Sequence, residues 1–509
     1  MQTHTLWRGD TLDLPVTFTL PAGADFSAAV QSTGDAAARL FWRKPVRAFI
    51  GRGFDKSPNA AWNNEALKED APDILWETLP TSVPADGVVR LWLRLSVSTD
   101  AQPGDYTVTV TCGDAAQTVP FLVLDQLLPG EGFSLELWQY PYTVARYYGI
   151  EQAALFGERH CAILREQLRP YREAGGRILT ATICEDPWNS QTYDPYPSMI
   201  KWTRHADGTL AFDYSHFDAW VLLGTACGLD GAIKCFSPLP WENKVRYFDA
   251  SQGKNVTVAL KPGSAAWKST WRTFLTDFVA HLRGTGWLPR TYLALDERPR
   301  CVMRHLLRLL KKFPELKTSC AVNFAHPSAR LLRQLDDVSV VQKEVPENGT
   351  RWQKFIATRR AAGQLTTLYT CAGDYPNSFA RSQPEESAWT ILYALAKGAD
   401  GFLRWAYDAW MADPLTDISY HYWESGDPLL VYPGDKTAAV PVPRESVRLA
   451  MLAQGVRTAK KLRWLLDNAD DATHAQIRQS LAALRRPEGK VNAHGAMESN
   501  EQFTMNNYF

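Results

Sequence analysis

Two adjacent carboxylates, Asp296 and Glu297, are the residues of this chain whose type and position best suit chemistry. They lie in the segment Thr291-Tyr-Leu-Ala-Leu-Asp-Glu-Arg-Pro299, where an apolar run leads directly into the only Asp-Glu dipeptide of the chain. Neighbouring carboxylates repel each other's charge, which raises the pKa of one and lets it donate a proton near neutral pH. The pair therefore predicts general acid–base chemistry, provided that the backbone bends there, because adjacent residues of a regular strand point to opposite faces.

A structural role is the alternative for the same two residues. Asp296 would then cap the helix that follows, and Glu297 would pair with Arg298 or Arg300. The position of the pair at the end of a predicted central strand favours chemistry, because the active sites of parallel barrels lie at strand ends.

The elements that must position the pair are βα units. After the connector Leu127-Leu128-Pro129-Gly130, short apolar runs alternate with longer amphipathic segments, which is typical of a parallel sheet. Eight strands over about 280 residues fit a (β/α)8 barrel. The predicted strands are Phe133–Tyr140, Arg177–Cys184, Gly231–Phe236, Thr291–Leu295, Thr318–Asn323, Val338–Lys343, Leu365–Cys371 and Gly401–Trp405. The predicted helices between them include Ala265–Leu282, Val302–Lys312, Arg351–Ala362 and Glu385–Lys397.

The two ends of the chain follow other patterns. Alternating apolar and polar residues at Leu12–Leu20, Val88–Val97 and Tyr106–Thr111 predict an all-β sandwich. Helical spacing predicts helices over Pro443–Leu466, with Pro443 in the first turn, and Ala472–Leu484. We therefore expect a multidomain chain: a β-sandwich over residues 1–129, a (β/α)8 catalytic barrel of the TIM type over 130–437, and C-terminal helices with a polar tail over 438–509.

Aromatic residues are the one oddity of the composition, with 19 Trp, 19 Tyr and 21 Phe. Flat aromatic faces suit the apolar faces of sugar rings, although filling a large core is an equally good explanation. Strand-end position alone selects Trp138, Tyr140 and Trp188 as candidate sugar contacts. Two long excursions, 188–229 and 238–263, are expected to wall a cleft above the strands.

Charge and motif content exclude several classes of function. Lys plus Arg total 55 against 55 for Asp plus Glu, so no excess positive field predicts a nucleic-acid partner. No secretory leader or membrane-spanning run is apparent, so we expect a cytoplasmic protein without membrane insertion. The eight cysteines are scattered without clustered histidines, and no phosphate-binding loop or nucleophile elbow occurs; neither metal nor cofactor is expected. The oligomeric state stays open.

Longer motifs point to a family. They are Tyr369-Thr-Cys-Ala-Gly-Asp-Tyr-Pro-Asn-Ser-Phe379, Gly398-Ala-Asp-Gly-Phe-Leu-Arg-Trp-Ala-Tyr-Asp-Ala-Trp410, Asp413-Pro-Leu-Thr-Asp417 and Gly426-Asp-Pro-Leu-Leu-Val-Tyr-Pro-Gly434. Over roughly Leu127 to Arg457 the chain resembles the catalytic domain of glycoside hydrolase family 123. It departs from that family at Ala450 and Arg457-Thr458, where acidic residues are common, and in the loop around Cys371.

The resemblance implies a retaining, exo-acting β-N-acetylgalactosaminidase that acts on a small glycan or a glycolipid-derived substrate. In that family the sugar's own 2-acetamido oxygen attacks the anomeric carbon and forms an oxazolinium-type intermediate. Asp296 would orient the acetamido N–H, while Glu297 would protonate the leaving oxygen and then activate water. The matching motifs make Tyr369, Asn377, Trp405 and Tyr407 candidate sugar contacts.

Two other functions stay open at this point. One is the same mechanism on β-N-acetylglucosamine, which differs only at the 4-hydroxyl. The other is a non-catalytic carbohydrate-binding protein on the same fold, although the intact Asp296-Glu297 pair favours an enzyme. The sandwich is expected to brace the barrel, with glycan binding as the alternative.

Overall fold

The structure, a computed structural model, describes residues 3–51, 64–324, 330–347, 349–421, 423–486, 490–491 and 497–498. The strands in chain order are β1 His4–Arg8, β2 Thr11–Thr19, β3 Ala28–Ser32, β4 Ala37–Phe49, β5 Lys68–Trp76, β6 Val88–Ser96, β7 Gly104–Cys112, β8 Ala115–Leu127, β9 Ser134–Leu137, β10 Leu179–Thr182, β11 Lys201–Arg204, β12 Leu210–Asp213, β13 Ile233–Phe236, β14 Lys244–Asp249, β15 Lys254–Ala259, β16 Thr291–Leu295, β17 Lys317–Val322, β18 Asp337–Val341, β19 Leu365–Tyr369, β20 Gly401–Arg404, β21 Val431–Tyr432, β22 Arg444–Glu445, β23 Lys490–Val491 and β24 Met497–Glu498. The α-helices are α1 Pro141–Tyr147, α2 Glu158–Glu173, α3 Ser215–Ala226, α4 Ala265–Gly284, α5 Arg300–Leu310, α6 Thr350–Ala361, α7 Pro384–Ala396, α8 Val447–Asn468 and α9 Asp471–Ala483.

The described part of the N-terminal region is β-rich, as predicted, with no α-helix among the residues described before Pro141. Its two four-stranded sheets have the orders β1-β8-β7-β3 and β2-β6-β4-β5. Alternate residues of β6 and β7, such as Leu93 and Val110, are fully buried in one core that both sheets share. This is the packing of a sandwich, in which every second side chain of each strand points inward.

The central region is an eight-stranded parallel sheet, and all eight predicted strands are present. Its order is β10-β13-β16-β17-β18-β19-β20-β9, the consecutive order of a (β/α)8 barrel with the seam between β9 and β10. One backbone bridge, Leu135 to Gly176, crosses that seam. The Gln139 side chain spans it as well, since Oε1 accepts from the Thr180 amide at 2.9 Å while Nε2 donates to the Leu137 carbonyl. The sheet is thus curled as in a TIM-like domain.

The two long excursions pair with each other. β11 and β12 come from the first and β14 and β15 from the second, and together they form a four-stranded sheet of order β12-β11-β14-β15. Among the described residues between β17 and β18 there is no α-helix, only a short 3-10 turn at Leu332–Gln334. No helix in the described part of the chain is both long and apolar enough to cross a membrane.

The two C-terminal helices are present, but the predicted start of the first is wrong. α8 begins after Ser446, whose side chain accepts a hydrogen bond from the Leu449 amide, and the preceding residues 444–445 form β22. Pro443 therefore lies ahead of a strand, because a serine supplies the cap that a helix start requires. α9 begins after Asp470, which caps it in the same way. The tail after Arg486 lies largely outside the described residues.

Helix α8 follows the eighth strand and packs against α7 and the sandwich. Its Gln454 side chain accepts from the Asp13 amide at 2.7 Å, and Arg457 lies 3.1 Å from the Asp13 carboxylate. Ala450, another departure from the family pattern, is fully buried in this helix. Both of these departures lie in α8, and the domain limits at 129/130 and 437/438 stay predictions.

Candidate active site

A cavity of about 370 Å3 lies at the carboxyl ends of the parallel strands, where both carboxylates of the Asp-Glu pair are exposed to it. This is the end of a barrel at which strands and their following loops build sites. The lining residues are Trp138, Trp188, Asn189, Gln191, Trp241, Asp296, Glu297, Ala321, Tyr369, Thr370, Cys371, Ala372, Leu403, Trp405, Trp423 and Asp427. Its volume lies within the range typical of small-molecule sites.

Asp296 follows the last residue of β16 and is held by two N–H donors. The Trp241 indole donates to Oδ2 at 2.8 Å, and the Glu297 amide donates to Oδ1 at 2.9 Å. Burial raises the pKa of Asp296, and these two hydrogen bonds oppose that rise. The backbone turns directly after β16, which is why both neighbouring side chains reach one cavity.

Glu297 is held by a hydroxyl and a side-chain amide. The Tyr369 hydroxyl donates to Oε1, and Asn323 Nδ2 donates to Oε2 at 3.2 Å. Burial, followed by the charge of Asp296, raises the pKa of Glu297 above its ordinary value. A raised carboxyl pKa suits a group that must carry a proton near neutral pH.

The purely structural alternative for the pair is wrong. Pro299 is the N-cap of α5, with no capping hydrogen bond from a side chain, so Asp296 does not cap that helix. Arg298 donates to the Trp241 carbonyl at 3.1 Å, and Arg300 stacks over the Phe324 ring. Neither arginine forms a salt bridge with Glu297, because Arg298 is held by Trp241 and Arg300 lies over the Phe324 ring.

The donors around the two carboxylates differ in one chemical respect. An indole N–H and a backbone N–H can only donate, so the Asp296 oxygens must accept. A tyrosine hydroxyl and an asparagine amide group can each exchange donor for acceptor, so the Glu297 partners tolerate both protonation states. The two N–H donors thus favour the ionised form of Asp296 against the burial that raises its pKa, whereas the partners of Glu297 allow it to gain and lose a proton.

Aromatic side chains wall the cavity on two sides. Trp138 and Trp188 stack with ring centroids 5.4 Å apart at 29°. On the other side Trp405 donates to Asp427 at 2.8 Å and meets the edge of Trp423 at 5.1 Å. The indole of Trp405 is therefore fixed by a buried carboxylate while its ring stays half-exposed to the cavity.

Three of the predicted sugar contacts do not line the cavity. Tyr140 is fully buried against Trp188 and Tyr196, with ring centroids 5.7 and 5.0 Å away. Tyr407 is also buried, and its hydroxyl donates to the Gln167 carbonyl at 2.8 Å. Asn377 accepts from Arg404 at 2.9 Å and donates to the Cys371 carbonyl, so it holds the loop that follows β19. These side chains support the cavity walls from behind, as packing residues.

Four residues that contact the two acids or Trp405 were not predicted as site residues. Trp241 and Trp423 lie in loops that no strand-end rule selects, and Asn323 was predicted only as a strand end. Asp427 lies inside the Gly426-Asp-Pro motif, which is the signal that marked its segment. Arg404 is fully buried and pairs with Asp427 at 2.8 Å, so a buried charge pair stands behind Trp405.

Backbone strain marks the loops that carry the tryptophans. Asp186, Asn189 and Ala406 have φ of 43°, 56° and 62°, in the left-handed region that residues other than glycine rarely adopt. The turn at Ala406 directs Trp405 toward the cavity and Tyr407 into the core. Such strain clusters at functional sites, where the surrounding structure holds it in place.

A buried charge cluster lies beneath the cavity floor. Lys234 contacts the carboxylates of both Glu136 and Asp337, and Glu136 accepts from the Trp138 indole at 2.9 Å. Burial alone would lower the pKa of Lys234, but the two carboxylates raise it above its ordinary value, so the lysine stays charged. The cluster orients Trp138 from below.

Paired carboxylates inside an aromatic cavity, at the carboxyl ends of a parallel eight-stranded sheet, define a hydrolase of the glycosidase class. The comparisons with known proteins agree with this class. A family model described as glycoside hydrolase 123, catalytic domain, matches residues 138–465. No match was found among curated proteins.

One solved structure is similar to this chain over nearly its whole length. A family 123 glycoside hydrolase from Clostridium perfringens, analysed for the details of glycolipid glycan hydrolysis, superposes with a TM-score of 0.89 at 33% identity, over 98% of this chain and 90% of that chain. A Bacteroides ovatus GH5 xyloglucanase matches at 8% identity with a TM-score of 0.32, over 89% of this chain and 98% of that chain, which is too weak to carry an argument. The chain belongs to glycoside hydrolase family 123, as its motifs predicted.

Proposed function

We propose that the protein removes a terminal β-linked N-acetylgalactosamine by a retaining, substrate-assisted mechanism. The observation that carries the proposal is the contrast between the two neighbouring carboxylates, since Asp296 has only obligate donors and Glu297 has partners that can exchange roles. A glycolipid glycan is the proposed natural substrate, supported by the similarity to the Clostridium perfringens enzyme.

In the first step the acetamido oxygen attacks the anomeric carbon as the glycosidic C–O bond breaks. Asp296, as a carboxylate, accepts the acetamido N–H and orients the group. Glu297 gives its proton to the departing oxygen, which leaves as an alcohol. Adjacent side chains can serve both atoms because the acetamido group and the glycosidic oxygen lie on neighbouring carbons of one sugar.

In the second step Glu297, now a carboxylate, takes a proton from water. The resulting hydroxide attacks the anomeric carbon, the oxazolinium ring opens, and the acetamido group is restored. Two displacements at one carbon give overall retention, and no protein nucleophile is required. The stacked Trp138 and Trp188 exclude water from one side of the cavity.

The proposal is tested by incubating the wild-type protein with aryl β-N-acetylgalactosaminide and aryl β-N-acetylglucosaminide in parallel. We expect release of the aryl alcohol from the galactosaminide at a higher kcat/KM, with a product of retained configuration by NMR. Faster turnover of the glucosaminide would instead assign the activity to β-N-acetylglucosamine, the epimer at the 4-hydroxyl. Binding of free N-acetylgalactosamine without turnover of either substrate would favour a binding protein.

Replacing Tyr369 with Phe is expected to move the alkaline limb of the kcat/KM profile to higher pH. The Tyr369 hydroxyl stabilises the ionised form of Glu297, so it lowers the pKa of that carboxyl. Its removal raises the pKa, and the acid form of Glu297 then persists to higher pH. The pH dependence of kcat/KM measures this, with Tyr106→Phe in the sandwich as the control, where no shift is expected.

Replacing Trp405 with Ala is expected to lower kcat/KM by about tenfold, mainly through KM. The change removes an aromatic face worth about 1 kcal/mol and leaves Asp427 without one of its donors. Trp405→Phe keeps an apolar face and should lose less. Steady-state kinetics on the aryl substrate separates the two, and equal losses in both variants would assign the effect to the hydrogen bond with Asp427.

A further inference from the structure

We propose that a basic groove on the outer wall of the barrel binds the acidic groups of a sulfated or carboxylated glycan. The groove has a volume of about 400 Å3 and lies between α5 and residues 330–334. Its cations are Arg300, Arg304, Arg308, Lys311 and Arg330. The glycan nature of the ligand rests on the proposed function, whereas the groove itself lies outside the cavity.

The cations of this groove are not neutralised by the protein. No acidic side chain lines the groove, and none of the five cations forms a salt bridge within the described part of the chain. Glu315, the first acidic residue after α5, pairs with Arg283 of α4 at 2.7 Å. Because the whole chain is neutral, the concentration of unpaired cations here is a local feature.

Helix geometry aligns the charges in one row. Arg300, Arg304 and Arg308 are spaced by four residues and so share one face of α5, although like charges at this spacing disfavour a helix. Arg304 and Arg308 are exposed. Such a row is unfavourable for the isolated protein, and a ligand that brings negative charge would relieve the repulsion.

The groove starts beside the catalytic cavity. Arg300 is the third residue after Glu297, and its guanidinium lies 4.1 Å from the Phe324 ring centroid. Phe324 follows Asn323, the residue that donates to Glu297. From there the eleven residues of α5 extend about 16 Å toward the opposite end of the barrel, since a connecting helix runs back along parallel strands. A glycan whose terminal sugar occupies the cavity therefore meets the start of the groove first.

The shape and lining favour a glycan over a membrane or a nucleic acid. The charges line a groove, and the large exposed apolar residues of the described chain, which a membrane surface would engage, lie elsewhere. The apolar lining is Leu307 and Leu331, without an aromatic ring on which a base could stack. Carboxylate and sulfate groups match the guanidinium forks of three arginines along the helix.

The test is the binding of fluorescently labelled dextran sulfate, which contains no acetamido sugar and so does not depend on the cavity. We expect the wild-type protein to bind it with an affinity that falls as salt rises, and not to bind neutral dextran. Arg304→Glu combined with Arg308→Glu should weaken binding by at least about tenfold and flatten the salt dependence. Absence of binding by the wild-type protein would overturn the proposal.

The matched control is Lys268→Glu combined with Arg272→Glu on α4, which changes the same charge at the same spacing on another exposed helix face. We expect this variant to bind dextran sulfate nearly as well as the wild-type protein. Equal losses of dextran sulfate affinity in the two double variants would show a diffuse charge effect and would overturn the proposal that the groove is the binding site. Tighter groove-dependent binding to phosphatidylserine vesicles or to duplex DNA would overturn the glycan assignment.

Turnover of the aryl galactosaminide separates this proposal from the proposed function. Neither Arg304 nor Arg308 lines the cavity, so the groove variant should hydrolyse the small substrate at the wild-type rate. A wild-type protein that binds dextran sulfate but hydrolyses no aryl substrate would contradict the proposed function. The proposal that the basic groove binds anions would not be affected. Loss of small-substrate turnover in the groove variant would contradict the separation of the two sites.

Discussion

Replacing Glu297 with Gln is expected to lower kcat/KM by about 10²- to 10⁴-fold on a substrate with a poor leaving group. The variant keeps one acceptor oxygen, its amide N–H must donate to the other partner, and it has no acidic proton to give to the departing oxygen. A leaving group that departs readily, such as dinitrophenolate, needs little protonation, so its first step should suffer much less. The measurement is kcat/KM for a series of aryl β-N-acetylgalactosaminides that differ only in the pKa of the phenol.

Asp296→Asn is the matched comparison for this prediction. It removes the carboxylate that orients the acetamido group, so turnover should fall for good and poor leaving groups alike. Thermal unfolding of both variants close to the wild-type temperature would show that the loss is chemical. A Glu297→Gln loss below tenfold, or one that is the same for every leaving group, would contradict its role as the acid.

Replacing Arg448 with Met is expected to destabilise the protein by about 3–5 kcal/mol. Arg448 is fully buried and binds Asp73 of the sandwich through two hydrogen bonds, of 2.9 and 2.8 Å. Its remaining N–H groups donate to three backbone carbonyls, among them that of Gly426 at 2.7 Å. The change would leave the Asp73 carboxylate buried, with Tyr432 as its remaining side-chain donor. The midpoint of urea unfolding, followed by tryptophan fluorescence, measures the effect.

Arg39→Met is the control for this change. Arg39 pairs with Glu77 at 2.6 Å, but both side chains are more than half exposed, so its loss should cost at most about 1 kcal/mol. Adding Asp73→Asn to Arg448→Met removes the stranded charge and should recover part of the stability. Equal losses of unfolding free energy in Arg448→Met and Arg39→Met would contradict the larger contribution that we assign to the buried pair.

Local sequence patterns were sufficient for the order of elements and for the acidic pair. Short apolar runs between amphipathic segments placed all eight strands of the parallel sheet, because burial on both faces of a strand is a property of consecutive residues. The Asp-Glu pair at the end of β16 could be found for the same reason, since a strand end and its next residues are local features. The motifs from Tyr369 to Gly434 indicated the family, which the comparisons confirmed.

The sequence by itself thus determined the β-rich N-terminal region, the parallel sheet and the position of the carboxylates. Only the tertiary structure decided which aromatic residues face the cavity, because Trp405 and Tyr407 lie two residues apart and the strained turn at Ala406 separates them. It also supplied the partners of the acids: Trp241 reaches Asp296 across 55 residues, and Tyr369 reaches Glu297 across 72. Contacts between distant strand ends depend on how the sheet curls and which loops pair, and no local periodicity encodes either.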